Sequence, residues 1–187
     1  GLISCSIIIF RSFRVLDPLI ERIITEKTNM EKLSDEQNVV VVVSMLHALS
    51  FRNPAHPDYL YWKEMGEKIL AWDVPLDLRV QVAGFLMWNA AAAGNLSEAL
   101  TYIQEYDSKV TRENVTPLTF TVIETVALYQ SWLRADFINS QMYYNRISST
   151  AGDTGVTHMM LFAKAHLTAA ELSRQDLSRA DDMIRQM

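Results

Sequence analysis

Apolar residues along this chain fall into short amphipathic blocks separated by polar or Gly/Pro/Asn breaks. Leu16, Leu19, Ile20, Ile23 and Ile24 recur at helical spacing and predict a helix over 16–27. Asp17-Pro18 stands at its start, where Pro is tolerated because the first N–H groups of a helix have no partner. Residues 2–14 predict the companion helix, although three consecutive Ile make strand the competing reading of residues 4–10. Lys27 to Lys32 reads as a polar connector. Ser34, followed three residues later by Gln37, has the form of a capping box and opens a helix over about 35–51. Five consecutive Val at 39–43 favour a strand by propensity. They lie between that cap and the helical Met45-Leu46-His47-Ala48-Leu49, so helix is predicted, with burial on most sides.

Pro54 and Pro57 break this helix. A further helix from Pro57-Asp58 carries Leu60, Tyr61, Met65, Ile69 and Leu70. Later helices are predicted over 76–93, 96–110, 117–134, 137–150, 156–174 and 177–187, with 151–155 as a loop. Gly94-Asn95 supplies the two residues that best tolerate a left-handed backbone.

The breaks repeat. Ala93-Gly94-Asn95-Leu96, Arg134-Ala135-Asp136-Phe137 and Arg174-Gln175-Asp176-Leu177 each join an apolar helix to an amphipathic one. The small residues Ala99, Ser140 and Ala180 that follow are 41 and 40 residues apart. Turn centres near 15, 54, 94, 135 and 175 define five hairpins, at roughly 1–32, 33–74, 75–115, 116–154 and 155–187. A fixed period of this length, one hairpin per period, predicts an all-α solenoid of about ten helices forming a single repeat domain. Starting at Gly1 and stopping at Met187 within an amphipathic pattern, the chain reads as part of a longer protein.

Composition narrows the function classes. With 6 Gly and 5 Pro in 187 residues, a turn-rich sheet protein is disfavoured. A net charge of −5 without long Lys/Arg clusters argues against direct nucleic-acid binding. The apolar stretch 2–10 is too short to span a bilayer and lacks a signal peptide's basic flank. The single Cys5 fits a reducing cytoplasm and reads as a small core residue.

Ala99, Ser140 and Ala180 in the second helices, large residues four on (Ile103, Tyr144, Ile184) and the Gly-Asn turn resemble tetratricopeptide (TPR) repeats. The period is about six residues longer than theirs, and the Trp-Leu-Gly-Tyr pattern of their first helix is absent. A closer resemblance is to the TPR-like superhelical region of bacterial STAND-type signal-transduction ATPases, including transcriptional activators related to the maltose activator. It rests on the stretch from Ala48 to Asp58, Leu78-Arg79, Thr116-Pro117-Leu118, Thr154-Gly155-Val156-Thr157-His158 and the repeated turns. The resemblance implies a right-handed α-α superhelix, with nucleotide-binding and output domains outside this chain. Among these residues no Gly-rich loop with Lys-Ser/Thr occurs.

Candidate chemistry is sparse. His47, His56, His158 and His166 show no i,i+4 pair and no Cys beside them, so no metal site and no cofactor is expected. Asp181-Asp182 reads as a solvated face. Trp88 and Tyr129 occupy matching places six residues before their turns, as core residues or as stacking surfaces for a ligand. In TPR-like arrays the first helix of each pair lines the concave groove. Counting back from the turns places Asn89, Gln130 and Ala170 there, with Phe85, Val126 and His166 one turn earlier. Asn89 and Gln130 could hydrogen-bond a peptide backbone or sugar hydroxyls. The expectation is a non-enzymatic sensor or protein-interaction domain of a bacterial cytoplasmic regulator. It would bind a protein, peptide or small effector at Phe85, Asn89, Val126, Gln130 and His166, with neighbouring domains or a second copy as further partners and no membrane contact. A scaffold without regulatory switching is the alternative, and a helical-repeat hydrolase would need convergent acids that the sequence does not show.

Overall fold

The structure is a computed structural model that describes residue 14 and residues 17–185 other than 54 and 158. The expected helix over 2–14, Cys5 and His158 lie outside the described residues. Among those described every regular element is helical, and no strand occurs. Nine α-helices occur among them: α1 (Asp17–Thr25), α2 (Asp35–Arg52), α3 (Tyr59–Ile69), α4 (Leu76–Ala92), α5 (Leu96–Tyr106), α6 (Pro117–Leu133), α7 (Phe137–Thr154), α8 (Met159–Ser173) and α9 (Leu177–Arg185). A 3-10 helix, Lys27–Lys32, stands where a connector was expected. Among the described residues no helix is long and apolar enough to cross a membrane.

The chain forms two compact units, residues 1–86 and 87–187. In the first, the Ser34 hydroxyl accepts from Gln37 N while the Gln37 side chain accepts from Ser34 N, so the predicted capping box forms. The Val run continues the helix. Val39, Val42 and Val43 are buried, and so are Ser44, Met45, Leu46 and Ala48, so burial covers most sides of the helix as expected and leaves Val40, 44% exposed, on the open strip. Propensity toward strand is overridden because the buried Val residues join Met45, Leu46 and Leu49 on the face that packs against α3. Gly66 allows that approach: a Cβ there would lie 3.2 Å from Leu46 and 3.3 Å from Val82. Arg52 grips Asp17 through two hydrogen bonds of 2.7 and 2.9 Å, tying α2 to the start of α1.

In the second unit α6 packs against α5, α7 and α8, and α8 against α7 and α9. Ala127, Leu128, Tyr143, Ile147 and Ala163 form its central cluster. Ala99 and Ser140 are fully buried and Ala180 is 1% exposed, as the predicted close helix approach requires. The three turns are copies of one another. Asn95, Asp136 and Asp176 donate their N–H to the carbonyls of Ala90, Ser131 and Glu171 at 2.8, 2.9 and 3.0 Å. Gly94, Ala135 and Gln175 donate to Ala91, Trp132 and Leu172. This pair of bonds is the Schellman motif, and its left-handed residue has φ of 81°, 58° and 64° in turn. The next residue then caps the following helix: Asn95, Asp136 and Asp176 side chains accept from the N–H of Glu98, Asn139 and Arg179.

Two helix ends differ from expectation by four residues. α5 stops at Tyr106 rather than 110, because Asn114 organises the next loop, accepting from Thr111 N and donating to the Lys109 carbonyl. α7 runs to Thr154, through the loop expected at 151–155. Thr150 and Thr154 bond back to carbonyls four residues earlier, and only Gly155, with φ of 74°, ends the helix.

Candidate functional site

The chemistry concentrates in the second unit, on α4, α6 and α8, the first helices of three successive hairpins. Trp88 stacks on Tyr129 with ring centroids 4.8 Å apart at 29°. Tyr129 lies 4.8 Å from His166, which is also 6.0 Å from Trp88. Trp132 completes the group, 5.9 Å from Tyr129 and 6.4 Å from His166. Tyr129 and Trp132 are three residues apart and therefore share one face of α6. All four rings are half-buried.

The row carries no charge at neutral pH. Burial pushes His166 down to about 4, so its imidazole is neutral. Its Nδ1 accepts from Trp132 Nε1 at 3.4 Å, which places the single ring proton on Nε2. Burial also pushes the Tyr129 hydroxyl up. The row is therefore a cluster of uncharged, half-buried rings. Such surfaces hold apolar, aromatic or cationic side chains by stacking and cation–π attraction.

The expected site residues separate. His166 sits in the ring row. Gln130, 1% exposed, donates to the Leu96 carbonyl at 3.4 Å and so links α6 to the start of α5. Asn89 and Val126 are buried, as is Ala170. Phe85 belongs to the first unit, where it stacks on His47 at 4.4 Å. Trp132 escaped the sequence reading, although its spacing from Tyr129 was a usable signal.

A second cluster lies deeper. Glu124, 4% exposed, pairs through Oε1 with Arg146 at 2.9 Å, and Arg146 also reaches Asp107 at 3.1 Å. Among the described residues Glu124 Oε2 has no hydrogen-bond partner. Burial pushes this carboxyl up to about 8; Arg146 opposes the shift and Asp107 adds to it. The adjoining cavity, between Glu124, Tyr106 and Tyr143, measures about 20 Å³. That suffices for one water and not for a substrate, so the cluster acts on stability and the ring row is the candidate interface.

Compared with protein-family models, curated proteins and solved structures, the chain matches none of them.

Proposed function

We propose that this chain is a non-enzymatic, TPR-like helical-repeat module that binds a peptide segment of a partner protein along the ring row of α4, α6 and α8. One observation carries the reading: Trp88, Tyr129 and His166 come from three successive first helices and meet as one half-buried aromatic cluster. Neighbouring helices stand about 8–10 Å apart, so a row over three of them suits an extended ligand. Trp and Tyr dominate binding energy where their faces meet a partner. The packing of first helix on first helix, α6 on α8, supports the solenoid reading. In the resemblance to STAND-type regulators, ligand binding on such a module shifts the state of attached domains, which makes a sensor the favoured role in a bacterial cytoplasmic regulator.

Panning a displayed library of random linear peptides on the protein tests this. Enriched peptides should carry aromatic, Pro or Arg residues, and the Trp88→Ser/Tyr129→Ser double variant should lose at least about tenfold in affinity with its helical signal intact. Enrichment that survives the double variant would overturn the proposal.

A further inference from the structure

In the second unit α8 exposes an apolar strip. At about 100° per residue, Leu161, Ala165 and Leu172 fall within about 40° of one another, and Phe162 and Ala169 flank them. Leu161 is 58% exposed and Leu172 49%, and Phe162 and Ala165 are exposed as well. Of the two charged residues of α8, neither stands on the strip. Lys164 lies about 60° to one side and is half-buried. Glu171 is buried, where Arg174 and Arg179 pair with it at 3.4 and 3.1 Å. A contiguous uncharged apolar face left to solvent marks a contact surface.

One period earlier the matching positions are covered. Thr121 and Thr125 of α6, forty residues before Leu161 and Ala165, are 0% and 1% exposed. Trp132, forty residues before Leu172, donates from Nε1 to His166 of α8 at 3.4 Å. Ile184 of α9 is 54% exposed, whereas Tyr144, forty residues before it, packs against the cluster that contains Ala163 of α8. Within the unit, then, this kind of face is covered by the first helix of a hairpin laid on another first helix, as α8 lies on α6.

The pattern of the strip selects a second copy as that helix. Leu161 and Leu172 stand at its two ends, and the small residues Ala165 and Thr168 stand between them at equal distances from its centre. An isologous contact needs this arrangement, because each residue of one copy must suit its symmetry mate's partner. Two antiparallel α8 helices would set Leu161 of each against Leu172 of the other, and the small central residues let the axes approach closely. Charge does not oppose the contact. The chain carries −5, but Arg179, Asp181, Asp182 and Arg185 of α9 sum to zero.

We propose that the face of α8 and α9 marked by Leu161, Ala165, Leu172 and Ile184 is the two-fold interface of a homodimer, with α8 packed antiparallel on α8 of the second copy. It is separate from the peptide surface proposed above, since His166 lies about 140° around α8 from Leu161.

Sedimentation velocity of the full chain from about 1 to 100 µM tests this. A monomer–dimer equilibrium should appear with a Kd below about 100 µM. Leu161→Glu should weaken it at least about tenfold with the helical signal intact. Ile138→Glu, at an 84% exposed position on α7, should leave it unchanged. In a Cys5→Ser background, a short bis-maleimide should couple Ala165→Cys into a covalent dimer and leave Ile138→Cys uncoupled, because residue 165 lies beside the two-fold axis. If Leu161→Glu fails to fold, the coupling of Ala165→Cys decides. A monomer at every concentration, a dimer unmoved by Leu161→Glu, or growth beyond the dimer by head-to-tail stacking would overturn the proposal.

Discussion

At the scale of single residues, Glu124 is the most perturbed acid described. Its carboxyl is held up to about 8 by burial, against an ordinary value of 4.5. The folded protein thus keeps a proton that the unfolded chain releases, and stability falls as pH rises from about 4.5 to about 8, then levels off. His47 and His166, both pushed down to about 4 by burial, act oppositely: their contribution is complete above about 6.5 and is lost as pH falls toward 4. Glu124→Gln isolates the first effect, because the histidines drop out of the difference. Gln keeps an acceptor for Arg146 and has no proton to lose. The stability of Glu124→Gln minus that of the natural protein should therefore rise between pH 4.5 and 8, by on the order of a few kcal/mol. Urea melts across this range check it, and a pH-independent difference would show that Glu124 stays ionised. None of this was legible from one Glu in an apolar helix, since the sequence does not show that α7 covers it. The ring row was half legible: Trp88 and Tyr129 stood out by period. Counting back from the turns, however, selected the adjacent Asn89 and Gln130, which point into the packing.

At the scale of elements, one turn is built three times with different residues at the left-handed position. Gly94 adopts φ of 81° at no steric cost, whereas Ala135 and Gln175 carry a Cβ at 58° and 64°. Nothing lies within 4 Å of a Cβ built on Gly94, so a substitution there strains only the backbone. Ala135→Gly should then stabilise the protein by about 0.5–1 kcal/mol and Gly94→Ala should destabilise it by about 1 kcal/mol. Both should move the urea midpoint without altering the slope; shifts of the same sign for the two would count against the shared turn geometry. The turns were legible because caps and small residues act locally. Lys27–Lys32 was not, since only Met30 marks it as anchored and its other residues are polar. The end of α7 was missed for the opposite reason. Gly152-Asp153 has turn composition, yet Thr150 and Thr154 bonds hold the backbone helical until Gly155.

At the scale of the whole molecule, the second unit carries long-range hydrogen bonds at a recurring separation. Hydrogen bonds between successive hairpins join residues separated by about one period: Gln130 to Leu96, Arg146 to Asp107, Arg112 to Asp153 and Arg179 to Gln141. The aromatic contact of Trp88 with His166 reaches across two periods. If the hairpins act as repeat units, as proposed above, structure is lost in steps, beginning where burial is least. In the second unit the extremes are clear. α6 buries eleven of its seventeen residues, whereas α9 buries Ala180 alone. Native-state hydrogen exchange should therefore find the amides of α6 most protected and those of α9 exchanging through local opening, with a gap of at least about 2 kcal/mol between them. Weakening the row by Trp88→Ala should lower protection in both α6 and α8, because Trp88 touches rings on each. Equal protection of α6 and α9 would mean that the second unit opens as a single cooperative block and that its repeats are not energetic units.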